Sequence, residues 1–132
     1  LTFRLPNGQH TGYIKNVQFH DVNLLVKGGH PVEDAEAYPP EIGVGRYNVG
    51  DLKIQPSFGF WARHVKDFLL DNCSISAEQK DGRYAVVLDE VKNTRMLRFL
   101  LVIWTENLMK MHIFVPDSEM PETEYSVQNN LF

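Results

Sequence analysis

A strand-like segment recurs along this chain at fixed offsets, and few folds accommodate such a pattern. Phe58-Gly-Phe-Trp-Ala-Arg-His-Val65 aligns with Tyr84-Ala-Val-Val-Leu-Asp-Glu-Val91 at a shift of 26, with apolar or aromatic residues matched at five places. Val65-Lys-Asp67 recurs as Val91-Lys-Asn93, and the same shift sets Leu70 against Met96, Cys73 against Phe99 and Ile75 against Leu101. Upstream, Ile14–Leu24 matches Val65–Ile75 at a shift of 51, close to twice the shorter one. A repeat of this length is one supersecondary unit that covers its apolar side only by stacking on its neighbours. The unit reads as strand, so the simplest expectation is an all-β parallel solenoid. The alternative is a compact sandwich in which the repeats are antiparallel hairpin strands.

A chain of 132 residues suits one domain with a single core. Its composition, 43% hydrophobic and 23% charged, is that of a globular protein. The net charge of -4 gives no electrostatic footprint for nucleic acid. A neutral polysaccharide or a protein partner is indifferent to that charge, whereas an acidic polysaccharide needs a local basic patch. The single cysteine, Cys73, leaves no internal disulfide framework and no cysteine-rich zinc site. Its alignment with Val22 and Phe99 makes it a small core hydrophobe. The longest apolar run, Phe99–Trp104, is too short to span a bilayer, so no membrane partner is expected, and no signal peptide is visible in the sequence.

Leu1–Leu5 reads as a short strand before a turn at Pro6-Asn-Gly8. In Tyr13–Val26 the apolar residues Val17 and Phe19, then Val22, Leu24 and Val26, alternate with polar ones, and the parity switches at His20-Asp21. That switch predicts a bend between two short strands, because side chains alternate faces with period two. A Pro/Gly-rich excursion over residues 28–56 holds Pro31, Pro39, Pro40 and Pro56. Val32–Ala37 suits one or two helical turns after Pro31, stopped by Pro39-Pro40, and Asn48–Ile54 is a candidate strand. Long irregular segments are usually functional loops. Past Leu101 the repeat fades. Val102–Trp104 and Met109–Val115 read as strands that close the open end, and residues 116–132 as an acidic surface arm or disordered tail. The expectation is therefore about four or five coils within residues 1–115. The first coil has no cap, which exposes its strand edges and predicts either a missing N-terminal portion or a homo-oligomer through that end.

Gly12-Tyr-Ile-Lys-Asn-Val-Gln-Phe-His-Asp-Val-Asn-Leu24, Gly28-Gly29, Glu33-Asp-Ala35, Tyr38-Pro-Pro-Glu41, Phe58–Val65 and Asp81–Val91 together resemble the C-terminal coils of the glycoside hydrolases of family 28, the polygalacturonase family. The resemblance covers residues 12–93. It implies a right-handed parallel β-helix and, for intact members, hydrolysis of galacturonan-type chains with inversion, outside the cytoplasm. The partner it implies is an acidic, pectin-type polysaccharide, in an extracellular or periplasmic location. The family's active-site motifs are missing: there is no Asp-Asp and no Asn-x-Asp, Gly29-His30 runs into Pro31, and Arg63-His-Val-Lys66 is one residue too long for Arg-x-Lys. No catalytic residue is carried over, and the chain is similar to the last coils of such an enzyme or to a truncated relative. The different-class alternative is a non-catalytic carbohydrate-binding or assembly module.

An inverting glycosidase needs two carboxyls about 6.5–9.5 Å apart, one protonated and one activating water. The pairs on offer are Asp67 with Asp71 and Asp89 with Glu90. The first flanks an expected bend, where Asp is ordinary turn chemistry; the second, being adjacent in a strand, should point to opposite faces. Arg63 and His64 align with Asp89 and Glu90, so the two pairs should stack as opposite charges on neighbouring coils. Arg63 could instead fork onto a sugar carboxylate. Histidines at 10, 20, 30, 64 and 112 form no metal motif, and no cofactor is implied. Trp61 aligns with Val87 and should pack in its coil, which leaves Tyr38 and Tyr47, on the long loop, as the aromatic faces for a sugar ring. The carbohydrate-binding set is thus Tyr38, Tyr47, Arg63 and His64, with no catalytic and no metal residue.

Overall fold

The computed structural model describes residues 2–4, 10–41, 48–104, 113–114 and 122–130. Their strands are β1 (Thr2–Arg4), β2 (His10–Gly12), β3 (Ile14–His20), β4 (Asn23–Val26), β5 (Ser57–Arg63), β6 (Val65–Asp71), β7 (Ser74–Ala77), β8 (Tyr84–Asp89), β9 (Lys92–Trp104), β10 (Ile113–Phe114) and β11 (Glu122–Asn130). The protein is all-β, and every strand pair except β1–β2 runs parallel among the described residues.

The registers follow the repeat. β6 lies on β9 with Lys66 opposite Lys92, Phe68 opposite Thr94 and Leu70 opposite Met96, and β7 continues along β9 with Ile75 opposite Leu101. β3 lies on β6 with Ile14 opposite Val65 and Phe19 opposite Leu70; β4 lies on β7 with Leu24 opposite Ile75. The look-alike segments are therefore direct neighbours running in one sense, which excludes the hairpin sandwich. β5 on β8 keeps the shift of 26 from Phe60–Val86 to Arg63–Asp89, but Ser57 faces Tyr84, one residue off. The slip has a local cause. A Cβ on Gly59 would lie 2.3 Å from Ile75 Cδ1 and 2.4 Å from the Ala85 carbonyl, and Ser57 Oγ occupies the irregularity, 3.0 Å from the carbonyls of both Phe60 and Ala85.

Beside the β1-β2 pair, two larger sheets result, β10-β8-β5 and β3-β6-β9-β7-β4, with β11 added on β9. Successive passes of the chain lay strands on both, and the core fills the space between. Phe58, Phe68, Leu70, Cys73, Ile75, Val86, Leu88, Val91, Met96 and Phe99 are buried there. Phe60 of one sheet meets Phe19 and Phe99 of the other at ring-centroid distances of 5.3 and 6.5 Å. Cys73, 1% exposed, is the expected small core residue.

The bends are stacked as well. Asn16, Asp67 and Asn93 (φ 59°, 61° and 56°) form one column of left-handed residues, and Asp21, Asn72 and Arg98 (φ 57°, 53° and 51°) form another. His64 and Glu90 (φ 56° and 51°) form a third. Short amide and carboxylate side chains tolerate this conformation because they bond locally. Here they also bond up the column: Asn93 Nδ2 donates to Asp67 Oδ1, and Asn72 Nδ2 donates to Asp21 Oδ1 at 2.6 Å.

Two expectations change outside the repeat. Residues 122–130 form β11, which pairs in parallel with β9 (Tyr125 opposite Phe99), rather than an arm or disordered tail. The expected strand Met109–Val115 is described at β10, which stacks in parallel on β8 with Phe114 opposite Val87, and Val102–Trp104 is the end of β9. Asn48–Ile54 supplies no strand; Val49–Leu52 is a 3-10 turn capped by the Asn48 side chain. Val32–Glu36 is a short 3-10 helix, in line with the turns expected after Pro31. No helix among the described residues is long and apolar enough to cross a membrane.

Candidate functional site

The long loop returns to the coils and is fastened at two points. At its start, Asp81 (4% exposed) accepts from the His30 amide, the Arg83 amide, and Arg83 Nε and Nη2, the last three at 2.9 Å. Burial alone would raise the Asp81 pKa, but the bidentate Arg83 fork and the two amides outweigh it and hold the carboxyl below its ordinary value. Gly82 lets the loop come close: a Cβ there would sit 2.4 Å from the Val32 nitrogen.

The second fastening is the ladder foreseen from the repeat. Arg63 Nε donates to Asp89 Oδ2 at 2.6 Å, and His64 Nδ1 lies 2.9 Å from Glu90 Oε2. The loop adds to both. Arg63 Nη1 donates to the Pro39 carbonyl at 2.9 Å, and Glu41 Oε1 lies 2.6 Å from His64 Nε2 and 3.6 Å from Arg63 Nη1. The guanidinium carbon is 4.8 Å from the ring centres of both Tyr38 and Trp61. Partial burial, and then the Asp89 carboxylate, push the Tyr38 phenol above its ordinary pKa. Asp89, Arg63, Glu41, His64 and Glu90 thus form one continuous chain of ion contacts.

Three of the four expected binding residues, Tyr38, Arg63 and His64, come together here; Tyr47 lies outside the described residues. Trp61 does more than pack. It is half-buried and lines two cavities, one of about 70 Å³ with Tyr38, Pro39, Tyr84 and Asp89, and one of about 240 Å³ with Ile14, Glu41, Leu52, Arg63 and His64. The expectation that Asp89 and Glu90 diverge does not survive the backbone. Glu90 leaves the strand through a left-handed bend (φ 51°), so alternation ends at Asp89 and both carboxylates join the same chain of contacts. Glu41 was not singled out from sequence, because a loop residue outside the repeat has no register to place it.

None of these carboxylates is arranged for hydrolysis. Asp89 is 3% exposed and tied to Arg63. Glu41 and Glu90 sit on either side of the His64 ring, which occupies the space a water and a sugar would need. At the other candidate pair, Asp67 accepts from Asn93, and Asp71 accepts from Arg98 Nη2 at 2.6 Å. That Arg98 contact holds the Asp71 carboxyl below its ordinary pKa, so it is an anion and not a proton donor at neutral pH. No cluster of metal-ligating side chains occurs among the described residues. Comparison with known proteins gives no family model, no curated protein and no solved structure that matches this chain.

Proposed function

We propose that this chain is a short right-handed parallel β-helix that binds a polysaccharide without cleaving it, at the cavity beside Arg63 and His64. The stacked parallel registers support the helical wall, and right-handed crossover is the rule for parallel strands joined within a sheet. The observation that carries the binding reading is a concave site with an aromatic wall, apolar neighbours and converging polar groups, the usual make-up of a small-ligand pocket. Carboxylates committed to Arg63, His64, Asn93 and Arg98 support binding over catalysis. The test is affinity electrophoresis against a panel of soluble polysaccharides, with reducing ends assayed in parallel. Retardation without new reducing ends is expected; no retardation by any polysaccharide sinks the reading.

A second reading is favoured by the sequence resemblance over residues 12–93 alone. In it the chain forms the last coils of a pectin-type hydrolase working outside the cytoplasm, and contributes scaffold and loop contacts to that enzyme. Release of reducing ends from polygalacturonate by this chain by itself would contradict the absence of catalytic residues in either reading. Both readings include self-association through the β3–β4 edge, where Ile14, Phe19 and Leu25 are exposed.

A further inference from the structure

We infer that the outer face of the larger sheet carries a second binding site, a column of lysines that holds an acidic polysaccharide strand along the stack. Lys15 lies opposite Lys66, and Lys66 opposite Lys92, one lysine on each of three successive passes. The preceding residues Val65 and Val91 are 5% and 0% exposed, so by alternation the lysines point away from the core. Lys15 and Lys66 are exposed and Lys92 is half-buried. None of the three ammonium groups makes an ion pair among the described residues. Lys92 leans back along the column, and its ammonium lies 6.0 Å from the ring centre of Tyr13 in the first pass. Like charges placed directly opposite raise the energy of the bare sheet, and an anion laid across them relieves it.

Two carboxylates flank the column in sequence, Asp67 and Glu90. Asp67 accepts from Asn93, and Glu90 lies 2.9 Å from His64 Nδ1; neither is paired with a lysine of the column. They weaken its field, and Asp117 and Glu119, outside the described residues, carry charges of the same sign. The geometry picks the kind of anion. The column crosses the strands, with neighbouring passes about 4.8 Å apart, so its ligand is linear and lies along the stack. An extended peptide adds to a sheet edge through its backbone. β6, which carries the middle lysine, is already hydrogen-bonded on both sides and has no backbone to offer. A nucleic acid needs more phosphate contacts than three lysines supply on a chain of net charge -4. A stiff polysaccharide with one carboxylate on each ring needs only charges at intervals. Because ammonium groups act as point charges, any such ring qualifies, whatever the orientation of its hydroxyls.

A matched pair tests this by titration calorimetry at low salt: the β-1,4-linked mannuronate hexamer against the β-1,4-linked mannose hexamer. The uronate should bind with clearly higher affinity than its neutral partner. A fourfold rise in salt should weaken it by about twentyfold, given three neutralised charges and a slope near -0.7 for each on a single-stranded polyanion. Lys66→Gln should weaken it about fivefold, the scale of one exposed charge contact, and replacing all three lysines by glutamine should abolish the preference for the uronate. Lys80→Gln, on the turn before β8, should leave it unchanged. A single-stranded hexanucleotide should bind more weakly, because its flexible backbone must be ordered to align its charges. No uronate binding, or equal binding of the neutral hexamer, overturns the inference while leaving the cavity reading to its own test. So does a preference that survives the triple substitution, which places the uronate elsewhere. A hexanucleotide that binds as tightly as the uronate shows that the face reads charge alone, and overturns the polysaccharide as its ligand.

Discussion

At the scale of single residues, the unpaired groups are the informative ones. Thr94 stands in the inward column with Phe68, is 3% exposed, and its hydroxyl has no hydrogen-bond partner among the described residues. Thr94→Val keeps the shape and removes the unsatisfied oxygen, so it should leave stability unchanged or raise it by about 1 kcal/mol; a lower midpoint in urea would contradict this. Asp81 behaves in the opposite way. Its folded pKa is depressed, so the folded state binds fewer protons than the unfolded chain. The stability it contributes is present above the ordinary carboxylate value of 3.8 and is lost as pH falls through the folded value. Asp81→Asn should cost about 2 kcal/mol at neutral pH, the scale of charged hydrogen bonds. The gap from wild type should close in acid; an equal gap in urea titrations at both pH values would show that the charge is irrelevant. The ladder of Arg63 and His64 against Asp89 and Glu90 was legible in the sequence, because a fixed shift names each residue's neighbour. Glu41 and the Pro39 carbonyl were not, since only the path of the loop brings them there.

Elements in this protein are defined by where they bend, and the bends were only half legible. The parity switch at His20-Asp21 is the left-handed Asp21, and its counterparts Asn72 and Arg98 follow from the register. The matching column Asn16, Asp67, Asn93 falls inside strands, where alternation alone gave no warning. At φ 56° a β-branched residue is strained by roughly 1–2 kcal/mol. Asn93→Val should therefore destabilise by at least that much, and Asn93→Gly by clearly less, although both lose the bond to Asp67. Equal losses for the two would show that the hydrogen bond, not the conformation, matters. β11 went unseen for a different reason. The prolines and glutamates at 116–124 dominate the composition around it, yet Tyr125 falls opposite Phe99 at the same shift of 26, after a slip between Thr123 and Tyr125. The register continues there although the residue pattern of the repeat fades past Leu101.

For the whole molecule, the unsolved problem is the end of the stack. Ile14 is 61% exposed and Phe19 36%, although their column-mates Val65 and Leu70 are 5% and 0% exposed. Leu25, on β4, is 66% exposed. Among the described residues β3 and β4 are also the two edge strands of their sheet, beside the exposed apolar side chains. An edge of that kind is a template for another strand. Under the proposed self-association the occupant is the same end of a second copy, because every copy presents the same apolar surface and a two-fold contact closes after two chains. The sedimentation coefficient should therefore rise with concentration and level off at a dimer. Phe19→Lys places a charge at the centre of the edge and should hold the protein as a monomer at every concentration, with its far-ultraviolet spectrum unchanged. A wild-type protein that sediments as a monomer throughout would show that the end tolerates water. Growth past the dimer would instead point to head-to-tail stacking of β3 on the β11 side, which closes no ring.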